Sequence, residues 1–145
     1  MLKVSDRIWI GDSADESHGD LLMPNIRCIL NVAQDLHPTR GWMNGIEYMH
    51  VGLIDGPGNE LTAYYAAVIA LHTLLKRGKV LVCCHDKGRS LAIVTIYLYL
   101  SSGHNWDTQM AILRERYDDV SDPHIEHRKA YGRINWGSLI NLLKD

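Results

Sequence analysis

Val80-Leu81-Val82-Cys83 is an uninterrupted apolar run followed at once by the polar turn His85-Asp86-Lys87-Gly88. A run this short, bounded by turn residues, fits a strand buried on both faces, the kind found at the centre of a parallel sheet. From Arg89 to Leu100 the chain is again apolar, now over a length that suits a helix. Strand, tight loop and helix in succession are the building unit of an α/β domain.

The flanking sequence extends this pattern. Ile8-Trp9-Ile10 reads as a first short strand turned by Gly11-Asp12, and Ser13 to Ser17 as a short helix. Cys28 to Ala33 is a second buried strand, and Ile46 to Leu53 a third with more alternation. Residues 54–59, Ile-Asp-Gly-Pro-Gly-Asn, cannot continue regular structure and form a loop. Leu61 to Leu75 predicts a helix with Leu61, Tyr65, Val68, Leu71 and Leu75 on its buried face. Lys76, Arg77 and Gly78 suit its C-terminus. Thr108 to Tyr117 predicts a helix capped by Asp107, and Pro123 to Leu143 a helical tail weakened at Gly132 and Gly137. The expectation is one α/β domain over residues 1–145. Its central, mostly parallel sheet is flanked by helices, with the 83–89 loop between a central strand and a helix. Sheets of this kind bind ligands beyond the carboxyl ends of their strands.

Composition narrows the function classes. Fifteen basic and 17 acidic residues leave a formal charge of −2, which argues against general affinity for nucleic acid or membranes. Three cysteines, Cys28, Cys83 and Cys84, make a poor disulfide framework and point to a reducing, cytoplasmic setting. The first six residues lack the apolar stretch of a signal peptide, and Leu91 to Leu100 is too short to span a bilayer. His50, His72, His104, His124 and His127 are scattered without metal-binding spacing. Gly56, Gly58 and Gly88 build no dinucleotide motif, so neither metal nor cofactor is expected.

The chemistry concentrates between Cys83 and Ser90. Backbone N–H groups of a tight loop and of the helix start that follows it lack partners and form an anion nest. Cys84, His85, Asp86, Lys87, Gly88 and Arg89 would make that loop, with the planar fork of Arg89 holding two phosphate oxygens. Cys83, at the strand end, would be the nucleophile, its thiolate favoured by the helix start and by Arg89. Ser90 would donate a hydrogen bond to the sulfur. Hydrolysis through a phosphocysteine needs an acid in the first step and a base in the second. Asp55, in a loop after a neighbouring strand, is the candidate for both. Trp42 and Tyr48 are more often packing residues, but either could line the approach to the site.

This combination resembles the protein tyrosine phosphatase superfamily, especially its compact dual-specificity branch. The family signature is a cysteine, five residues, an arginine and then Ser or Thr, and Cys83, Arg89 and Ser90 match it. Ile8 to Gly11 and Ile29 to Ala33 resemble the branch's opening strands, and Asp55 falls at the place of its general acid. The segments from Asp107 to Arg114 and at Pro123 resemble its closing helices. The resemblance implies metal-free, two-step hydrolysis of phosphomonoesters, with phosphotyrosine, phosphoserine and phosphothreonine among the substrates of relatives. Some relatives act on phosphoinositides or RNA 5′ phosphates, and Lys87-Gly88-Arg89 is similar to the run in lipid-directed members. The family has His where this chain has Val82, and Gly where it has Asp86.

Three readings follow. A monomeric, cysteine-dependent dual-specificity phosphatase acting on phosphorylated proteins comes first. A phosphoinositide or RNA 5′-phosphate phosphatase is the alternative that Lys87 favours. An inactive phosphate-binding module is the one that Val82 and Asp86 favour.

Overall fold

The computed structural model describes residues 1–18, 25–37 and 45–144. Among the described residues five strands form one sheet: β1 (Leu2–Lys3), β2 (Ile8–Gly11), β3 (Ile26–Ala33), β4 (Glu47–Leu53) and β5 (Lys79–Cys83). Their order is β1-β2-β5-β3-β4, so the apolar run ending at Cys83 lies in the middle. Only the two-residue β1 runs antiparallel to its neighbour; the β2–β5, β5–β3 and β3–β4 pairings are parallel. Gly11 and Asn31 flank Cys83 in register, which brings the ends of β2, β3 and β5 to one edge. β4 ends at that edge too, one strand removed from β5 rather than beside it. The sheet is thus mixed but mostly parallel and flanked by helices.

The helices are α1 (Ser13–His18), α2 (Leu61–Leu75), α3 (Gly88–Ser102), α4 (Trp106–Arg116), α5 (Ile125–Arg133) and α6 (Trp136–Leu143). The first packs on β2 and β5, while α2 and α3 pack on the sheet and against each other, with α4, α5 and α6 outside them. The range of α2 matches its apolar pattern, but its phase differs: Tyr64, Ala67, Val68, Leu71 and Leu74 face inward. That stripe keeps i, i+3, i+4 spacing and buries small residues that a count of large ones overlooks. Leu61, Tyr65 and Leu75 are partly buried at the edge of that stripe, and the Tyr65 hydroxyl accepts the N–H of Asn135 at 3.0 Å.

Asn105, not Asp107, caps α4: its side chain accepts the N–H of Thr108 at 2.9 Å. Asp107 lies inside the first turn and pairs with Arg128 of α5. The expected helical tail is two helices. Gly132 is accommodated within α5 and Gly137 within α6, and the break falls at Ile134-Asn135. Asn135 caps α6 by accepting the N–H of Ser138 at 3.0 Å. Aromatic contacts hold these helices to the body: Tyr99 of α3 lies 4.5 Å from Trp136, and Tyr131 lies 5.4 Å from Trp106 between ring centres. Such pairs contribute about 0.5–1.5 kcal/mol each beyond the area they bury.

Leu81, wholly buried in β5, reaches Gly11 with its side chain on the face where Asp15 of α1 also packs. Leu81→Ala should cost ~2–5 kcal/mol, because neighbouring strands cannot collapse into the space it leaves. Ile140→Ala, on the exposed side of α6, should stay within ~0.5 kcal/mol. Urea unfolding midpoints of the two variants check the contrast.

Candidate functional site

Successive side chains of a strand point to opposite faces, and this pleat separates the two adjacent cysteines. Cys83, the last residue of β5, shares Leu81's face. Its thiol is wholly buried, with Glu16, Cys84 and Asp15 as its electrostatic neighbours. Burial, helped by those groups, pushes this thiol well above the ordinary range, where a lowered value was expected. Tyr48 belongs to the same side, its phenol raised first by burial and next by Cys83. It is partly buried against the core, and Trp42 lies outside the described residues.

Cys84 points the other way, into the β5–α3 loop. Its sulfur accepts the backbone N–H of Ser90 at 3.4 Å and lies 3.4 Å from the Ser90 hydroxyl. That hydroxyl in turn donates to the carbonyl of Lys87 at 3.0 Å. Four residues, His85 to Gly88, separate Cys84 from Arg89. The N–H groups of His85, Asp86, Lys87 and Arg89 make no hydrogen bond among the described residues. Asp86 folds back so that its carboxylate accepts the N–H of Gly88 at 3.2 Å. A left-handed backbone falls on Lys87 (φ 79°), one residue after Asp86. An L residue there carries strain on the order of 1–3 kcal/mol.

Arg89 is almost wholly buried at the start of α3. One guanidinium nitrogen, Nη1, donates to the carbonyl of Leu53 and to Asp35 Oδ1, both at 2.8 Å. Its Nε is buried without a partner, and an unmet buried donor costs about 1–3 kcal/mol. Asp35 carries no sequence motif of its own. The buried side chain of Asn31 places it, accepting the N–H of Ala33 and donating to the carbonyl of Leu36, which turns the chain after β3. The main-chain carbonyl of Asp35 also lies 3.0 Å from His85 Nε2. Slight burial pulls the Asp35 carboxyl upward, but the hydrogen bond and charge of Arg89, with His85, hold it below the ordinary range. Lys87 is engaged as well, 3.4 Å from Asp12. Every cation of the loop therefore faces a carboxylate.

Asp55 stands at the same sheet edge, in a loop clamped by Asn59, whose side chain pairs with both the N–H and the carbonyl of Ile54. Gly58 takes a left-handed φ of 110°, which glycine adopts without strain. A cavity of about 210 Å³ joins Asp55 to Asp86, Lys87 and Gly88, with Asp119, Asp122 and His124 on its rim. The carboxylate Oδ1 lies 3.0 Å from Nε2 of His127, a wholly buried residue on α5. Sequence reasoning had set His127 aside with the scattered histidines, since nothing local marks a contact made 72 residues away. Among the described residues no cluster of His, Cys, Asp and Glu has the makings of a metal site. No helix there is long and apolar enough to cross a membrane. A larger cavity of about 920 Å³ opens at the far end of the sheet, lined by Lys3, Arg7, Leu75, Tyr97 and Arg116. It contains no thiol.

No protein-family model and no curated protein matches the sequence. Solved structures do match its architecture. DUSP15 superimposes with a TM-score of 0.81 at 22% identity, covering 99% of this chain and 92% of that one. A mouse dual specificity phosphatase complexed with zinc tungstate gives 0.80 at 21% identity, covering 97% and 89%. The human tyrosine phosphatase-like serine/threonine/tyrosine-interacting protein gives 0.70 at 17% identity, covering 90% and 93%. The strand order, the loop after the central strand and these neighbours agree: the chain has the fold of the protein tyrosine phosphatase superfamily, in the form of its dual-specificity branch.

Proposed function

We propose that the β5–α3 loop is a phosphate-binding loop and that the protein hydrolyses phosphomonoesters through a phosphocysteine, with Cys84 as the nucleophile. The observation that carries this reading is the Cys84 sulfur seated under the N–H and hydroxyl of Ser90. It faces a loop whose arginine keeps a buried, unpartnered Nε. Counting residues favours Cys83, which has five residues between it and Arg89. Geometry favours Cys84, because the strand pleat turns Cys83 to the opposite face while the Cys84 sulfur meets Ser90.

The steps balance within these groups. The Cys84 thiolate forms a bond to phosphorus as the ester oxygen departs, taking a proton from Asp55. Arg89 and the loop N–H groups meet the negative charge on the equatorial oxygens. Water then attacks the phosphocysteine and gives its proton to the Asp55 carboxylate. The sulfur leaves as a thiolate, which the Ser90 hydroxyl can turn to meet.

Phosphorylated protein side chains fit this site better than polyanions. Lys87, which would favour a phosphoinositide or an RNA 5′ end, is paired with Asp12. Asp55, Asp86, Asp119 and Asp122 line the adjoining cavity, and a second phosphate there would meet like charge. A second reading, a phosphate-binding module without turnover, is favoured by one feature. Asp86 and Asp35 occupy loop donors that an anion would otherwise receive.

Metal-free hydrolysis of an activated aryl phosphate in EDTA decides between them. Wild type and Cys83→Ala should turn over, within a few-fold of each other, and Cys84→Ser should not. Activity lost in Cys83→Ala but kept in Cys84→Ser would return the role to Cys83. No turnover by reduced, folded wild type that still binds phosphate would support the binding module. Asp35→Ala should strengthen inhibition by inorganic phosphate by up to ~5-fold, since a pair with one exposed partner is worth at most ~1 kcal/mol. Steady-state inhibition constants measure this directly.

A further inference from the structure

His127 lies at the end of a chain of hydrogen bonds that begins in the acid's own loop. The Asn59 side chain is fixed by Ile54, accepting its N–H at 2.9 Å and donating to its carbonyl at 2.8 Å. That orientation sets an Asn59 Nδ2–H toward the Tyr64 oxygen, 3.4 Å away. The Asp55 carboxylate facing Nε2 can only accept, so the tautomer that satisfies both contacts takes the Tyr64 proton at His127 Nδ1, 2.8 Å away. An imidazole that accepts at Nδ1 carries its proton on Nε2, and Nε2 faces Asp55 Oδ1 at 3.0 Å.

We infer that His127 is a positioning residue for Asp55: its Nε2–H holds Oδ1, so that the transferable proton resides on Oδ2 and is presented to the leaving oxygen. This rests on the reading of Asp55 as the leaving-group acid. A protonated carboxyl has one carbonyl oxygen that accepts and one hydroxyl that donates. Occupying Oδ1 with a donor leaves the acidic proton on the other oxygen. In the second step the same bond to Oδ1 steadies the carboxylate while Oδ2 takes a proton from water. His127 contributes no proton of its own in either step.

The surroundings keep the imidazole neutral in this role. Asp55 faces it from the β4–α2 loop, Tyr64 from α2, Arg89 from α3 and His124 from the cap of its own helix. Burial is the largest influence and holds its pKa below the ordinary range, with His124 and Arg89 acting the same way against the pull of Asp55. The residues that lead into α5 lie against both halves of the site. A side chain at Gly56, beside the acid, would come within 3.9 Å of His124, and one at Gly88 would lie 4.0 Å from Pro123.

The test compares two substrates that differ in their need for an acid: an aryl phosphate with an acidic leaving group and a phosphoserine peptide. His127→Leu should lower kcat on the peptide by roughly 10- to 100-fold, part of the 10²–10⁴ that a general acid supplies. On the aryl phosphate it should lose less than about 3-fold. His127→Gln, whose amide can donate to Oδ1, should recover most of the peptide activity. The double variant Asp55→Asn/His127→Leu should be no slower than Asp55→Asn alone. Tyr64→Phe, which frees the tautomer without touching the acid, should show the same substrate split at smaller size and decides the matter if His127→Leu does not fold. Equal losses on both substrates, additive losses in the double variant, or no recovery with Gln would overturn the proposal. Failure of wild type to hydrolyse even the aryl phosphate would instead remove the phosphatase reading, and this inference with it.

Discussion

The pleat at the end of β5 governs the site. Because β5 is hydrogen-bonded on both sides, by β2 and β3, its last residues cannot rotate to exchange faces. A one-residue slip would reverse every side chain along the strand and bury the wrong set. Leu81 and Cys83 are therefore committed to one face, and Val82 and Cys84 to the other. The loop that follows inherits this choice. It must start from a thiol on the α3 side and return to α3 within four residues, with Lys87 in a strained backbone conformation to complete the turn.

Most of the architecture could be read from apolar patterning, because burial on two faces writes a continuous run and burial on one writes a periodic stripe. The range of α2, the central place of β5 and the parallel setting of the sheet follow from that signal. What patterning could not carry was phase. Tyr64 and Tyr65 are equally apolar, and only packing against α5 decides which one turns inward. Caps failed in the same way: Asn105 and Asp107 are both good acceptors, and the choice belongs to the geometry of the turn. The two-residue β1 is too short to leave any pattern.

The site was legible in its parts and less so in its assembly. Arg89, Ser90 and Asp55 stand at one sheet edge, where strand order puts them. Cys83 keeps the five-residue spacing to Arg89 and Cys84 does not, whereas the Cys84 sulfur is the one that meets Ser90, a contact set by the pleat of the folded sheet. Asp35 and His127 were invisible for another reason. Each is an ordinary residue type that gains meaning from a partner far along the chain, Arg89 for one and Asp55 for the other.

The groups that would hold an oxyanion and those that would deliver a proton grow from different parts of the fold. The first come from β5 and α3; the second come from the loop after β4 and from α5, itself anchored by the aromatic cluster around Tyr131 and Trp136. The beginning of α5 is where the two meet, against Gly56 on one side and Gly88 on the other. On the proposed reading, the two are separable inheritances in this architecture. Changes in α5 alone could remove the delivery of the proton without altering a residue of the loop.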